Sequence, residues 1–299
     1  WCGKPNHHII EAGSDDMPEL LLRISNPPGR LFVVGDKEAL HLPALAIVGS
    51  RNPTRGGKQN AYEFAKHLGR SGFSIVSGLA QGIDTAAHLG ALDGGAPTVA
   101  FLGHGIDRVY PAANAELAER IAENGALCSE FPLGAEPRRE HFPQRNRLIS
   151  GLSLGTLVVE AARRSGSLIS ARLASEQGRE IFAIPGSIHN PMSRGCHQLI
   201  RQGAKLVESA ADIVDELGPL VKHMLQTTDE STSPSDHSVD DDEDYQKLLA
   251  ALAFDPVSSD ELAETSGLTI DQVSSMLLIL ELEGKVEAIA GGRYSRLHE

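Results

Sequence analysis

The segment Ala44-Leu-Ala-Ile-Val-Gly-Ser-Arg-Asn52 begins with five apolar residues and ends in a short turn of small and polar residues. An apolar run of this length, followed directly by glycine, is typical of a strand that is buried on both faces. From Ala44 to Leu217 the chain repeats the same order of apolar strand, glycine-bearing turn and amphipathic helix. This alternation predicts an α/β fold, with a mostly parallel sheet and helices on both of its faces.

The repeat allows each strand and helix to be placed along the chain. Strands are predicted at 45–49, 73–77, 97–102, 126–129, 155–160 and 181–184. Helices are predicted at 57–70, 82–93, 112–124, 143–152, 168–178 and 195–202. Residues 1–43 are predicted to form an irregular lead, a short helix and an edge strand at 31–34. A strand at 204–207 and a helix at 209–217 are predicted to close the domain at 44–217.

The last part of the chain has a different composition. Residues 218–244 contain Thr, Ser, Pro and acidic residues with few apolar ones, which predicts an acidic disordered linker. Residues 245–299 show three helical patterns and then two short strands around a Gly-Gly turn, the order of a small winged-helix-like domain. Ser258 or Ser259 is expected to cap its second helix and Thr269 its third. That third helix contains no Lys or Arg, so we expect the domain either to bind protein or to have no role in DNA binding, with Arg293 and Arg296 in the wing as basic exceptions.

The formal net charge of −13 is unevenly distributed along the chain. Residues 226–244 contribute −8 and residues 245–299 contribute −5, so the first 225 residues have no net charge. A basic surface on that first part is therefore compatible with the acidic total, which does not exclude a nucleic-acid partner. No apolar run approaches the ~18 residues that span a bilayer, so we expect a cytoplasmic protein without a membrane partner.

The strongest local reversal of charge lies at residues 138–147, which contain four arginines and one glutamate. Arg145, Asn146 and Arg147 follow the aromatic residue Phe142 within this stretch. Guanidinium groups match phosphate oxygens and an aromatic ring offers a face to a base, so the stretch favours single-stranded nucleic acid. The alternative is a helix N-terminus whose arginines pair with surface carboxylates, and the residues alone leave both interpretations open.

Four turns are expected on the carboxyl edge of the predicted sheet, where ligands bind in open parallel sheets. They lie at residues 49–52, 77–82, 103–105 and 185–187. Each turn on its own is equally consistent with a tight connection between a strand and a helix. Together, with arginines expected beside them and helix N-termini that favour anions, they indicate an anion-binding edge.

The usual cofactor motifs are missing from the sequence. The first turn reads Gly49-Ser-Arg-Asn-Pro53 rather than G-x-G-x-x-G, and no G-x-x-x-x-G-K-[ST] occurs. Neither NAD nor a P-loop nucleotide site is therefore expected. The three cysteines lack the spacing of a zinc site or a disulfide framework, which is typical of a reducing compartment. We expect no cofactor and no metal.

A Gly-Thr pair at 155–156 followed by Glu160 resembles part of the active-site motif of the lysine-decarboxylase-like nucleotide phosphoribohydrolases. That family has Pro-Gly-Gly before the Gly-Thr pair, whereas this chain has Gly-Leu-Ser-Leu at 151–154. A phosphoribohydrolase-like enzyme that uses Glu160 as a base is the alternative function. The interpretation we favour is that Glu160 anchors Arg145 or Arg147.

A longer series of motifs follows one another in unbroken order. They are IVGSR at 47–51, SGLAQGID at 77–84, AAH at 86–88, LGHGIDRVYP at 102–111, SEFP at 129–132, FPQRNRLISGLS at 142–153, SGSLISA at 165–171 and AIPG at 183–186. This series resembles the bacterial DNA-processing protein A family (DprA, also called Smf) from about Pro18 to Leu217. The resemblance implies an extended Rossmann-like domain that binds single-stranded DNA, forms a homodimer and loads the recombinase RecA during natural transformation. It implies no catalytic activity.

The same resemblance suggests which residues contact DNA. By motif they are Ser50, Arg51, Arg139, Phe142, Arg145, Asn146, Arg147, Ser165, Gly166 and Ser167. Ser50 and Arg51 are expected at a phosphate, Phe142 is expected to stack on a base, and Arg139 is expected at the DNA backbone. The implied homodimer agrees with apolar residues near the end of the domain, which are Leu199, Ile200, Leu206, Val207, Ile213, Val214 and Leu217.

Overall fold

The computed structural model describes residues 1, 3–229, 243–252, 257–282, 285–289 and 293–296. The chain divides into two compact units, residues 1–225 and residues 226–299. Within the described residues no helix is both long enough and apolar enough to cross a lipid bilayer.

The first unit is built on a nine-stranded sheet. Its strands are His7–Glu11 (β1), Arg30–Gly35 (β2), Ala44–Val48 (β3), Ser74–Ser77 (β4), Thr98–Phe101 (β5), Gly125–Ser129 (β6), Gly155–Val158 (β7), Glu180–Ala183 (β8) and Lys205–Leu206 (β9). They lie side by side in the order β1-β2-β6-β5-β4-β3-β7-β8-β9. All neighbours from β6 to β9 are parallel, whereas β1 and β2 are antiparallel additions at one end. The predicted fold class, an extended Rossmann-like sheet, is confirmed.

In the described part of this unit, eight α-helices connect these strands or follow them. They are Glu19–Leu22 (α1), Arg55–Arg70 (α2), Ile83–Asp93 (α3), Ala115–Glu123 (α4), His141–Leu152 (α5), Ser167–Glu176 (α6), Arg194–Arg201 (α7) and Ala211–Asp229 (α8). Alternate residues of β3 belong to different cores, because successive side chains of a strand point to opposite faces. Val48 packs in one core with Leu148 of α5, and Ile47 packs in the other with Leu68 of α2. Both faces of the sheet are therefore covered by helices.

The order of the strands changes direction between β3 and β7. The chain moves outward from β3 through β4 and β5 to β6, and then returns through α5 to form β7 on the other side of β3. The turns that follow β3 and β7 consequently lead away from each other at the carboxyl edge. In open α/β sheets this switch in strand order is where ligands bind.

Two predictions for the ends of this unit are wrong. The lead was expected to be irregular, but β1 pairs with β2 over five residues, so β2 is not the edge strand. The last helix was expected to stop at 217, but α8 continues to Asp229 through Pro219. Leu217 is fully buried and Val221 packs against the same core, which gives the helix a reason to continue. The predicted linker thus begins as helix, and its residues 230–242 lie outside the described residues.

The second unit is a winged helix, as predicted. It contains Glu243–Ala251 (α9), Val257–Ser258 (β10), Ser259–Ser266 (α10), Ile270–Leu282 (α11), Val286–Ile289 (β11) and Arg293–Arg296 (β12), with a sheet of order β10-β12-β11. Ser258 caps α10 in a capping box with Glu261, and the Thr269 hydroxyl accepts from the Gln272 N–H at the start of α11. The predicted Gly-Gly turn at 291–292 lies outside the described residues.

Candidate nucleic-acid interface

The turn after β3 is closed by its own side chains and neighbours. The buried Ser50 hydroxyl accepts a hydrogen bond from the Asn52 N–H at 3.0 Å, and the Ser50 carbonyl accepts from the Ile83 N–H at 3.1 Å. Gly82 has a φ of +90°, and a Cβ there would lie 2.4 Å from the Ser50 carbonyl oxygen. The backbone of this turn is therefore held firmly, while the side chain of Arg51 remains exposed.

Arg51 lies beside two aromatic rings. Its guanidinium carbon is 5.3 Å from the centroid of the Phe142 ring, close enough for a cation–π interaction. The Phe142 ring in turn lies 5.9 Å from the ring of Tyr110, at an angle of 39° between the planes. Phe142 is half-buried and Tyr110 is 46% exposed. We call Arg51, Tyr110 and Phe142 the aromatic platform.

Glycine makes room for the platform. A Cβ on Gly103 would lie 2.9 Å from the Phe142 ring, so a larger residue at this turn after β5 would push the ring out of its present position. The His141 ring stacks on Phe131 at 4.2 Å and lies 3.2 Å from the Gly103 carbonyl oxygen, which holds the first turn of α5 in place. The platform thus presents a guanidinium group together with ring faces, the combination that binds the phosphates and bases of single strands.

Tyr110 was missed by the sequence analysis. A signal for it existed, because Tyr110 follows the predicted turn at 103–105 on the same edge of the sheet. Its proximity to Phe142 depends on the return of α5 over the sheet, which no local pattern reveals.

Arg145 lies inside the protein, with 3% of its surface exposed. Its Nη1 donates to the Phe101 carbonyl oxygen at 2.8 Å, and a Cβ on Gly78 would overlap its guanidinium group. Burial lowers the pKa of Arg145 to about 10, against the opposing effect of the Asp84 carboxylate, so the group stays charged near neutral pH. Burial raises the pKa of Asp84, although the Arg145 charge and the N–H groups of Gly78 and Ala80 oppose this.

Arg147 is also enclosed, at 9% exposure. Both terminal nitrogens of its guanidinium group donate to the two carboxylate oxygens of Glu130, and its Nε donates to the Asn26 carbonyl oxygen at 2.9 Å. Asn146, between the two arginines, is half-buried. The two arginines of the motif are thus committed to protein partners in this structure, and their contact with DNA stays a prediction.

The predicted role of Glu160 as an anchor for Arg145 or Arg147 is wrong. One of its carboxylate oxygens accepts from the Thr54 N–H at 2.8 Å and the other from the Thr54 hydroxyl at 2.6 Å. The reason is the strand order, since β7 lies next to β3 and its end meets the N-terminus of α2. Thr54 caps that helix by accepting from the Gly57 N–H at 3.0 Å, so Glu160 supports a helix cap.

The Ser165-Gly166-Ser167 loop lies at the N-terminus of α6, after β7 and therefore on the same edge. The hydroxyls of Ser165 and Ser167 are 2.7 Å apart, Gly166 is exposed and Ser167 is buried. Arg139 lies in the turn before α5, where its side chain and that of Arg138 are exposed. In the part of the chain that the structure describes, neither Arg51 nor Arg138 nor Arg139 forms an ion pair.

The fold and this edge together define a class of protein. It is a Rossmann-type domain that carries exposed arginines and ring faces at its switch in strand order, followed by a winged helix. Comparison with protein-family models makes the assignment specific. The chain belongs to the DNA recombination-mediator protein A family, whose model matches residues 8–218, and the DprA winged helix domain model matches residues 231–292. The family suggested by the motifs is confirmed.

Individual relatives agree with this assignment. Protein Smf of Escherichia coli is 45% identical over 298 residues, which cover 99% of this chain and 79% of that protein. The X-ray structure of DNA processing protein A from Streptococcus pneumoniae is 43% identical, with a TM-score of 0.68 over 71% of this chain and 75% of that one. The Helicobacter pylori DNA processing protein A, whose structure concerns its single-stranded DNA binding mode, is 31% identical, with a TM-score of 0.64 over 71% of this chain and 95% of that one.

Proposed function

We propose that this protein binds single-stranded DNA without sequence preference and acts as a recombination mediator that helps to load RecA during natural transformation. The observation that carries the proposal is the aromatic platform, in which the Arg51 guanidinium lies 5.3 Å from the centre of the Phe142 ring. The single-strand binding of the H. pylori relative and the family membership support it.

The platform explains binding that does not depend on sequence. Phe142 and Tyr110 offer ring faces, and every base has a π-face that can stack on them. Arg51 and Arg139 are exposed and available to phosphate oxygens, and the N–H groups at the start of α6 favour an anion beside Ser165 and Gly166. No base edge needs to be read in this arrangement, so base identity has little effect on affinity.

The buried members of the motif have a different part in this proposal. Arg147, on α5, donates hydrogen bonds to Glu130 and to the carbonyl of Asn26. Arg145, on the same helix, donates to the carbonyl at the end of β5. Phe142 lies in the first turn of the same helix. We therefore assign Arg145 and Arg147 to positioning the platform, and assign the direct contacts to Arg51, Arg139 and the rings.

Binding is tested by fluorescence anisotropy with a labelled thymidine oligonucleotide of about 20 residues, at two salt concentrations, against a duplex of the same length. We expect tighter binding of the single strand and an affinity that falls as salt rises. Equal binding to the duplex, or no binding, would refute the proposal. RecA loading is tested with the same strand, as faster RecA filament formation in the presence of this protein than in its absence.

The alternative function, a phosphoribohydrolase-like enzyme, needs a carboxylate at residue 160 that is free to take a proton from a substrate. Both oxygens of Glu160 instead accept hydrogen bonds from Thr54. The test is incubation with nucleoside monophosphates and detection of free base. Sustained release of base that is abolished in Glu160→Gln would establish the enzyme.

A homodimer and a cytoplasmic location also belong to the proposal, on the ground of the family. The residues named for the dimer are mostly core, since Val207, Ile213 and Leu217 are fully buried. Leu206 is 45% exposed on β9, the last strand at its end of the sheet. We expect light scattering of the full chain to give a dimer and Leu206→Glu to shift it towards the monomer. A monomeric parent at tens of micromolar would contradict this.

A further inference from the structure

A second basic site lies beyond the platform on the same edge of the sheet. A cavity of about 340 Å³ is lined by Arg163, Ile188, Arg194, His197 and Arg201. Arg163 comes from the loop after β7, Ile188 from the loop after β8, and the other three from α7. We call this the α7 pocket, and none of its residues was singled out by the sequence analysis.

Backbone hydrogen bonds hold the two arginine-bearing segments together. The Ala161 N–H donates to the Met192 carbonyl, and the Gly195 N–H donates to the Ala161 carbonyl, both at 2.7 Å. A Cβ on residue 195 would lie only 2.6 Å from that same carbonyl oxygen, so the close approach requires glycine. Arg163, two residues after Ala161, is therefore held beside Arg194 at the start of α7.

The remaining wall of the α7 pocket follows from the spacing along the helix. Arg194, His197 and Arg201 are three and seven residues apart, which places them on one face of α7. His197 Nε2 lies 3.0 Å from the Gly186 carbonyl oxygen and 3.3 Å from the Gly186 nitrogen, so this side chain holds the loop after β8 against α7. That loop carries Ile188, whose side chain is 73% exposed.

The positive charge of this region is only partly compensated by its own acidic residues. Residues 163–201 contain six arginines and two glutamates, in a protein of net charge −13. Arg172 pairs with Glu176, and Arg179 donates to the carbonyls of Leu20 and Gly151. The three arginines of the α7 pocket form no ion pair and no side-chain hydrogen bond with any residue that the structure describes. Like charges gathered around one cavity repel each other, and a bound anion removes that cost.

We propose that the α7 pocket binds a phosphate group of a nucleic-acid strand whose other nucleotides lie on the aromatic platform. Guanidinium groups match phosphate oxygens, and the exposed Ile188 offers an apolar contact to a sugar or base beside them. β8 is two strands from β3, and neighbouring strands lie about 4.8 Å apart, so the ends of these two strands are about 10 Å from each other. One single-stranded nucleic acid can therefore reach both the aromatic platform and the α7 pocket along a single edge of the sheet. This inference rests on the proposed function.

The experiment uses the full chain and a labelled thymidine oligonucleotide of about 20 residues, with the affinity measured between 50 and 200 mM salt. The variant is Arg194→Ala with Arg201→Ala. Its matched control is Arg23→Ala with Arg172→Ala, which removes two exposed arginines that each pair with a glutamate one helical turn away. Thermal melting checks that all variants fold, which is expected because the substituted side chains are exposed.

Each phosphate contact contributes about 0.7 to the slope of log affinity against log salt for single strands. Loss of the one phosphate contact in the pocket therefore makes the loss of affinity in the pocket variant about 2.6 times larger at 50 mM than at 200 mM salt. The control pair is expected to keep the parent slope. A pocket variant with the slope and affinity of the control pair would overturn the inference.

Two further arms separate the possible sources of failure. Phe142→Ala tests the platform independently, so if it binds like the parent the proposed function fails, whatever the pocket variant does. Inorganic phosphate tests whether the pocket takes a free anion. If phosphate raises the melting temperature of the parent but not of the pocket variant, while both bind the strand equally, the site is one for free phosphate and the strand contact is refuted.

Discussion

Phe142→Ala provides the sharpest test of the aromatic platform. The substitution removes a half-buried ring that lies 5.3 Å from the Arg51 guanidinium and 5.9 Å from the Tyr110 ring. Stacking of a base on an aromatic side chain contributes about 1–3 kcal/mol by alanine substitution. The dissociation constant for a single strand is therefore expected to rise about 5- to 150-fold.

The salt dependence separates this loss from the loss of a phosphate contact. Stacking releases no counterions, so Phe142→Ala should weaken binding equally at 50 and 200 mM salt. Arg51→Ala removes a phosphate contact, so its slope should fall by about 0.7, which makes its defect about 2.6 times larger at 50 mM than at 200 mM salt. The assay is fluorescence anisotropy with a labelled thymidine strand.

Phe142→Leu is the matched control, because leucine keeps an apolar contact near Gly103 but has no π-face. If stacking is the cause, Phe142→Leu should bind nearly as weakly as Phe142→Ala. Parent affinity in Phe142→Leu would mean that Phe142 acts by packing alone. Parent affinity in Phe142→Ala, or a flattened salt slope in it, would refute the assignment of this ring to a base.

Three other predictions concern stability and the acidic end of the chain. Arg147→Ala should destabilise the fold by about 3 kcal/mol, because it leaves the Glu130 carboxylate, whose side chain is only 12% exposed, without its partner. Adding Glu130→Gln should recover part of the loss, and urea unfolding of Arg147→Ala at parent stability would contradict this. His88 is fully buried, and burial lowers its pKa from 6.5 to about 3, so the unfolded chain takes up a proton below pH 6.5 that the folded chain refuses until about pH 3. Lowering the pH from 7 to 5 should therefore reduce the free energy of unfolding by about 2 kcal/mol through His88. His88→Asn can still donate to the Thr98 hydroxyl, and in urea titrations its free energy of unfolding should fall by correspondingly less between these pH values. Removal of residues 226–299, which carry a net charge of −13, should leave single-strand affinity unchanged at physiological salt, where the Debye length is about 8 Å, and raise it modestly at low salt. A large loss of affinity in that truncated chain would show instead that the winged helix binds DNA, through wing arginines such as Arg293.

Most of the sheet could be predicted from local sequence. A strand buried on both faces needs a continuous apolar run, and six such runs lie within two residues of the strands β3 to β8. β1 could not be predicted in this way, because Ile10 is its one buried residue and its pairing with β2 supplies the rest of its stability. The extension of α8 was missed for a related reason, since Val221 packs against the core only when the helix lies against the sheet.

The chemistry of the candidate site was visible in the sequence, but the exposure of its side chains was not. Arg51, Arg145 and Arg147 are the same residue type, yet one is exposed and the other two are buried. The arginines of the cluster at 138–147 lie just before and within α5, but the sequence did not show which of them already have a protein partner. The α7 pocket was not apparent at all, because its residues come from three separate segments.

The sequence by itself determined the order of strands and helices, the edge on which the turns gather and the residue types available there. These properties depend on near neighbours along the chain, such as an apolar run or a capping hydroxyl. Only the tertiary structure decided that Glu160 would support Thr54, 106 residues away, and that Arg147 would bond Asn26, 121 residues away. A charged side chain remains free for a ligand only if no distant segment brings it a partner, and those encounters are set by the packing of the whole sheet.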